Sequence, residues 1–180
     1  MQLEMPYGKR GINFELDDRG IVKIVNPSEI SPSPNPTLEI EKSLENPIQG
    51  KKISELSPKG KTVAIAVDDV TRVTPTHAIL PPILRALQNA GANKKDIKII
   101  IALGTHREMT EQEMKNKYGP QIVEEYEVIN HAFNEETELE YIGKIADNVP
   151  VWINKDYIKA DIRIATGNII PHCNAGWGAG

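Results

Sequence analysis

Two continuous apolar runs dominate the middle of the chain. Val63–Val67 ends in Asp68-Asp69, and Ile97–Leu103 ends in Gly104-Thr105-His106. Unbroken β-branched runs of this length are expected of strands buried on both faces of a parallel sheet. Between them, Ile79, Leu80, Ile83, Leu84 and Leu87 keep the three-to-four-residue spacing of one helix face. Pro81 and Pro82 predict that this helix kinks or begins there, and Gly91 suits the residue just past its end. Strand, helix and strand make a βαβ unit.

Further along, Thr110 and Glu113 have capping-box spacing and open a helix that must end by Gly119-Pro120. Tyr126–Asn130 reads as another strand. Leu139–Gly143 and Val149–Ile153 read as an antiparallel pair across Asp147-Asn148. Ile162, Ile164 and Ala165 form a last strand running into Gly167. Upstream, Ile12–Leu16 and Ile21–Val25 suggest a hairpin turning through Asp17–Gly20. After a proline-rich stretch, Asn35 and Pro36 suit the start of a short helix over Leu38–Leu44, which must stop near Asn46 because Pro47 disfavours helical geometry before it. The expected fold is α/β: a Rossmann-like, mostly parallel sheet flanked by helices. Residues 1–50 form a hairpin and short helix packed on a main body of residues 51–180.

Composition narrows the function. Of 180 residues, 39% are hydrophobic and 26% charged, which excludes a disordered acidic tail. With 21 basic against 25 acidic residues and no basic run, a nucleic-acid partner is not expected. The longest apolar run falls far short of the ~20 residues of a membrane span. A lone Cys173 fits a reducing compartment, and Met1–Pro6 lacks a signal-peptide pattern, so a cytoplasmic location is expected.

In an open parallel sheet, ligands lie beyond the carboxyl ends of the strands. Three such ends carry chemistry: Asp68-Asp69-Val70-Thr71-Arg72, Gly104-Thr105-His106-Arg107, and Thr166-Gly167-Asn168 through Pro171-His172. Paired histidines can act as acid and base in turn, and an arginine fork suits a carboxylate or phosphate. Each residue alone has a plainer explanation: Asp68 and Asp69 as helix caps, Arg72 in a surface ion pair, a histidine as a bonded loop residue. Their convergence on one rim favours a cleft. The stretch from Gly176 to Gly180, with Gly178 between, suits backbone passing close to an anion and leading into a helix. The domain is therefore expected to be cut within this glycine-rich loop.

Taken together, Asp68–Pro75, Gly104-Thr105-His106-Arg107 with Met109-Thr110, Asn130-His131, and Thr166-Gly167 through Pro171-His172 to Ala175-Gly176 resemble the nickel-dependent lactate racemase family. Tyr7-Gly8-Lys9 and Asn46-Pro47-Ile48 are similar to its N-terminal region. The resemblance implies the N-terminal half of a two-domain enzyme acting on a small 2-hydroxy acid. It implies a nickel pincer, a pyridinium thiocarboxylate mononucleotide, tethered through a lysine two positions beyond Gly180 and bound by a further downstream histidine. It implies hydride transfer, with His106 and His172 as the two alternating acid/bases. Arg72 then serves substrate carboxylate or transition-state charge and Asp69 orients its neighbours, with Thr71, Gly176 and Gly178 near substrate or cofactor. Implied partners are the C-terminal domain and cofactor-maturation proteins, and this portion alone is expected to be inactive. The chain departs from the pattern at Trp177-Gly178, where Phe or Tyr followed by Ser is common, at Ala179 in place of a common glycine, and at Val73 in place of proline.

Two other functions fit the same residues. One is a metal-assisted hydrolase using His106, His131 and His172 with Asp69. The other is a nucleotide- or anion-binding module built on the glycine-rich end.

Overall fold

The structure is a computed structural model describing residues 1–8, 10–20, 23, 25, 28, 30–172 and 176–179; of residues 18, 147, 172 and 179 only the backbone is described. Two compact units divide at Ser33 and Pro34.

In the first unit, β1 (Gln2–Tyr7) pairs antiparallel with β2 (Arg10–Glu15), Leu3 opposite Phe14 and Met5 opposite Ile12. The hairpin thus lies one strand earlier than the expected pairing of Ile12–Leu16 with Ile21–Val25. Gly8, at φ +61°, takes the turn, a geometry costly for other residues. Pro6 is tolerated because a two-stranded ribbon leaves its edges free of ladder demands. Of the expected second strand, residues 21, 22 and 24 lie outside the described residues.

The second unit opens with α1 (Pro36–Glu45), capped as expected by the Asn35 side chain, which accepts from the Leu38 amide at 3.1 Å. The centre is a four-stranded parallel sheet of order β5-β4-β3-β8, with β3 Val63–Val67, β4 Ile97–Ile101, β5 Glu127–Asn130 and β8 Ile162–Ala165. Alternation decides which face each residue covers. Val63, Ile65, Val67, Ile97, Ile99 and Ile101 pack with α2 (Thr76–Asn89), α3 (Glu111–Tyr118) and α4 (Pro120–Glu125) in the main core. Ala64 and Ile100 face the opposite way, against Tyr157 of α5 (Lys155–Lys159) and Ala160. Helices therefore lie on both faces, which is why β3 reads as an unbroken apolar run and β4 as one interrupted only by Lys98, which pairs with Glu127 and Asp156.

Helix α2 starts before its prolines, so Pro81 and Pro82 sit inside it and remove the donors that would serve the His77 and Ala78 carbonyls. Its buried face of Leu80, Ile83, Leu84 and Leu87 holds it nonetheless. The expected antiparallel pair is β6 (Leu139–Ile145) with β7 (Val149–Asn154), with a register shift at Tyr141/Gly143. The helices α4 and α5 were not expected. The glycine-rich end also differs from the expected loop: β10 (Gly176–Ala179) pairs antiparallel with β9 (Ile169–His172). The adjoining β-prone Ile169-Ile170 supplies the strand partner, opposite Ala179 and Gly178. Among the described residues no helix is long and apolar enough to cross a membrane.

Candidate functional site

Strand order places the site. From β3 the chain moves outward through β4 to β5, then returns to add β8 on the other side of β3. The reversal between β3 and β8 is a switch point, where the two connections part and leave a crevice at the carboxyl ends. A cleft of about 330 Å³ opens there, lined by Ala66, Asp68, Asp69, Arg72, Gly104–His106 and Thr166 among others. Thr166 is held at its rim by its amide donating to the Ala66 carbonyl at 2.9 Å. A hollow of about 340 Å³ also lies between α1 and α2, but its Arg85 and Glu41 already satisfy each other at 2.9 Å.

Asp69 and His106 form the centre of the cleft. Asp69 Oδ2 lies 2.6 Å from His106 Nδ1, with Asp69 only 3% exposed and the His106 ring open to the cleft at 45%. Burial pushes the Asp69 carboxyl up, but the Thr71 hydroxyl at 2.6 Å, the His106 ring and the Thr71 amide at 3.0 Å outweigh it and hold it below the ordinary carboxylate value. An ionised carboxylate only accepts, so the ring hydrogen sits on Nδ1 and Nε2 keeps its lone pair. This is the arrangement that makes an imidazole a proton acceptor facing outward.

The loops carrying these residues are pinned from below. Asn130 clamps Met109 twice, its Oδ1 accepting from the amide and its Nδ2 donating to the carbonyl, each at 3.0 Å. Arg107 forks onto Glu113 at 2.9 and 2.6 Å, and Glu113 also accepts from the Thr110 amide. The Arg107 guanidinium and then the Thr110 amide draw the Glu113 carboxyl down to about 2. On the other loop, Asp68 is buried and accepts from the Thr74 and Thr76 hydroxyls, and Tyr118 donates to its carbonyl at 2.9 Å. The Tyr118 hydroxyl is pushed well above its ordinary range, chiefly by burial. Glu113 was legible only as a cap and Asn130 only within the Asn130-His131 motif; the loop-holding role of Tyr118 had no sequence signal, because it acts on a backbone carbonyl 50 residues away.

Of the expected site residues, Asp69, Arg72 and His106 line one cleft and Thr71 bonds Asp69. His172 is placed on β9 by its backbone, and its side chain lies outside the described residues. Gly176 and Gly178 stand on β10. His131 stands apart: its amide bonds the Ile101 carbonyl at 3.2 Å, and its Nδ1 accepts from Asn154 Nδ2 at 3.4 Å. Burial lowers its proton affinity. Among the described residues no three His, Cys, Asp or Glu side chains gather to hold a metal ion. What the cleft offers is a guanidinium, two threonine hydroxyls and an imidazole acceptor. Two residues beyond Thr166, Asn168 Oδ1 is buried without a partner. The guanidinium and hydroxyl donors suit a small polar acid, or an organic group that brings its own metal ligands.

Comparison with known proteins shows the family. A lactate racemase from Thermoanaerobacterium thermosaccharolyticum is 36% identical over 182 residues, covering 99% of this chain and 42% of that protein. A lactate racemase from Lactiplantibacillus plantarum is 35% identical with the same coverage. The solved structure of the lactate racemase apoprotein from T. thermosaccharolyticum matches with a TM-score of 0.79 at 35% identity, over 96% of this chain and 40% of that one. The chain thus spans about two fifths of the length of the relatives it matches. The family described as the lactate racemase N-terminal domain matches residues 7–180, and the chain belongs to that family.

Proposed function

We propose that the complete polypeptide carrying this chain interconverts the enantiomers of lactate or a closely similar 2-hydroxy acid. The single observation that carries the proposal is the buried Asp69 carboxylate bonded to His106 Nδ1 in a cleft that also holds Arg72. Arg72 binds the substrate carboxylate through its fork. His106 Nε2 takes the hydroxyl proton of one enantiomer, and Asp69 stabilises the imidazolium that results. His172 does the same for the opposite enantiomer from the other side of the substrate.

The group implied by the family is a nickel pincer, which supplies a hydride acceptor when bound. Its organic part fits the cleft: no protein metal cluster is needed from this chain, and the Thr105 and Thr166 side chains line the space that would hold it. Its tethering lysine belongs beyond residue 180, with the second domain, and its attachment requires maturation proteins. This portion alone is therefore inactive, and the reaction takes place in the cytoplasm. The relatives' name favours racemisation over the metal-assisted hydrolase.

In the full-length, cofactor-matured protein, His106→Ala and His172→Ala should each lower racemisation of L-lactate on the order of 10²–10⁴-fold, the usual loss when a positioned acid–base group is removed. Wild-type rates in both variants would remove the assigned roles.

A further inference from the structure

Lys117 is the strongest group that the proposed chemistry leaves unused. It sits near the end of α3, one turn beyond Glu113, and its side chain is only 11% exposed. Its ammonium donates to the Arg72 carbonyl at 2.5 Å and to the Thr74 carbonyl at 2.9 Å, and lies 3.9 Å from Asp68 Oδ1. An ammonium has three donors and is costly to bury unless they are used. Here two donate to carbonyls of the segment between β3 and α2, and the charge faces the Asp68 carboxyl across 3.9 Å.

That segment needs holding. Val70 and Val73 are 45% and 85% exposed, so apolar packing does little to fix it. Within it, the Arg72 amide donates to the Asp69 carbonyl at 3.2 Å, beside the Thr71 amide and hydroxyl bonds to the Asp69 side chain. Lys117 supplies the matching bond on the carbonyl side, so the Arg72 backbone is gripped from both directions. One face of α3 therefore serves both cleft loops: Glu113 fastens the His106 loop through Arg107, and Lys117 fastens the Arg72 loop.

The geometry points to Lys117 as a positioning residue for substrate binding. It never meets the substrate; it sets where the Arg72 fork stands and keeps the Asp68 charge compensated beneath it. This rests on the proposed role of Arg72 in binding a carboxylate. Glu113 and Lys117, four residues apart, then set the separation between the imidazole of 106 and the guanidinium of 72.

The test uses the full-length protein with Lys117→Met and Lys117→Arg, read in two ways. By hydrogen exchange without substrate, the Arg72 amide in Lys117→Met should exchange about tenfold faster or more, while amides of β4 keep their protection. In the cofactor-matured enzyme, KM for lactate should rise about tenfold with kcat changed far less, the mark of lost ground-state and transition-state binding alike. Lys117→Arg, which keeps a cation and donors for the two carbonyls, should recover most of both. Unchanged exchange at Arg72 in a folded Lys117→Met would overturn the positioning role. Faster exchange with an unchanged KM would leave Lys117 as a loop staple and refute its role in binding. If the wild-type enzyme does not act on lactate, the proposed reaction fails, while the exchange result still decides whether Lys117 holds the Arg72 loop.

Discussion

At the scale of single residues, the site turns on which nitrogen of His106 carries its hydrogen. Asp69 settles that by being ionised and buried at 2.6 Å from Nδ1. In Asp69→Asn the amide can donate to Nδ1, which leaves the hydrogen on Nε2 and removes the outward acceptor. Racemisation by the full-length protein should then fall on the order of 10²–10⁴-fold while the fold is kept. Near-normal activity in Asp69→Asn would show that the tautomer is irrelevant. The same carboxylate also gives stability a definite pH dependence. Its folded pKa lies below its ordinary value of 3.8, so the unfolded chain binds the proton more tightly. The stabilisation is complete above that ordinary value and is lost as pH falls through the lower, folded one. Glu113, drawn from 4.5 to about 2, acts in the same direction. Denaturation midpoints should therefore drop between about pH 4 and 2, on top of the loss that His131, its proton affinity lowered by burial, brings as pH falls below its ordinary 6.5. A midpoint that is flat down to pH 2 would contradict these bonds.

At the scale of elements, what could be read ahead of the structure depended on whether the determinant was local. The Thr110–Glu113 capping box and the Asn35 cap follow from short-range chemistry, and both are present. Thr110→Ala should cost about 1 kcal/mol, measured by denaturant unfolding, through the lost bond to the Glu113 amide. Strands β3 and β4 were legible because burial on both faces leaves little room for polar residues, with Lys98 of β4 the exception. The hairpin was misplaced because alternation in Gln2–Tyr7 is weak and its residues are mostly exposed, so the turn at Gly8 was the better signal. Helix α2 was readable as a face but not at its start, because tertiary packing of Leu80 and Leu87, both fully buried, overrides two internal prolines. Leu87→Ala should therefore cost about 2–5 kcal/mol in the same unfolding measurement, far more than the cap. A cost below the cap's would mean α2 is not held by this face.

At the scale of the whole molecule, the order β5-β4-β3-β8 could not be read from the pattern, yet it decides where the site lies. The candidate residues were visible as chemistry at strand ends; only the reversal beside β3 shows why Asp69, Arg72, His106 and Thr166 share one crevice. The supports beneath them stayed invisible, because Lys117 to Arg72 spans 45 residues and ends on a carbonyl that every residue possesses. The most direct measurement is a crystal structure of the full-length protein with a 2-hydroxy acid bound. The expected result has the carboxylate on the guanidinium of Arg72, His106 Nε2 within hydrogen-bond reach of the hydroxyl, and His172 on the opposite side of the same molecule. An acid bound elsewhere, or imidazoles 106 and 172 opening onto separate surfaces, would contradict it.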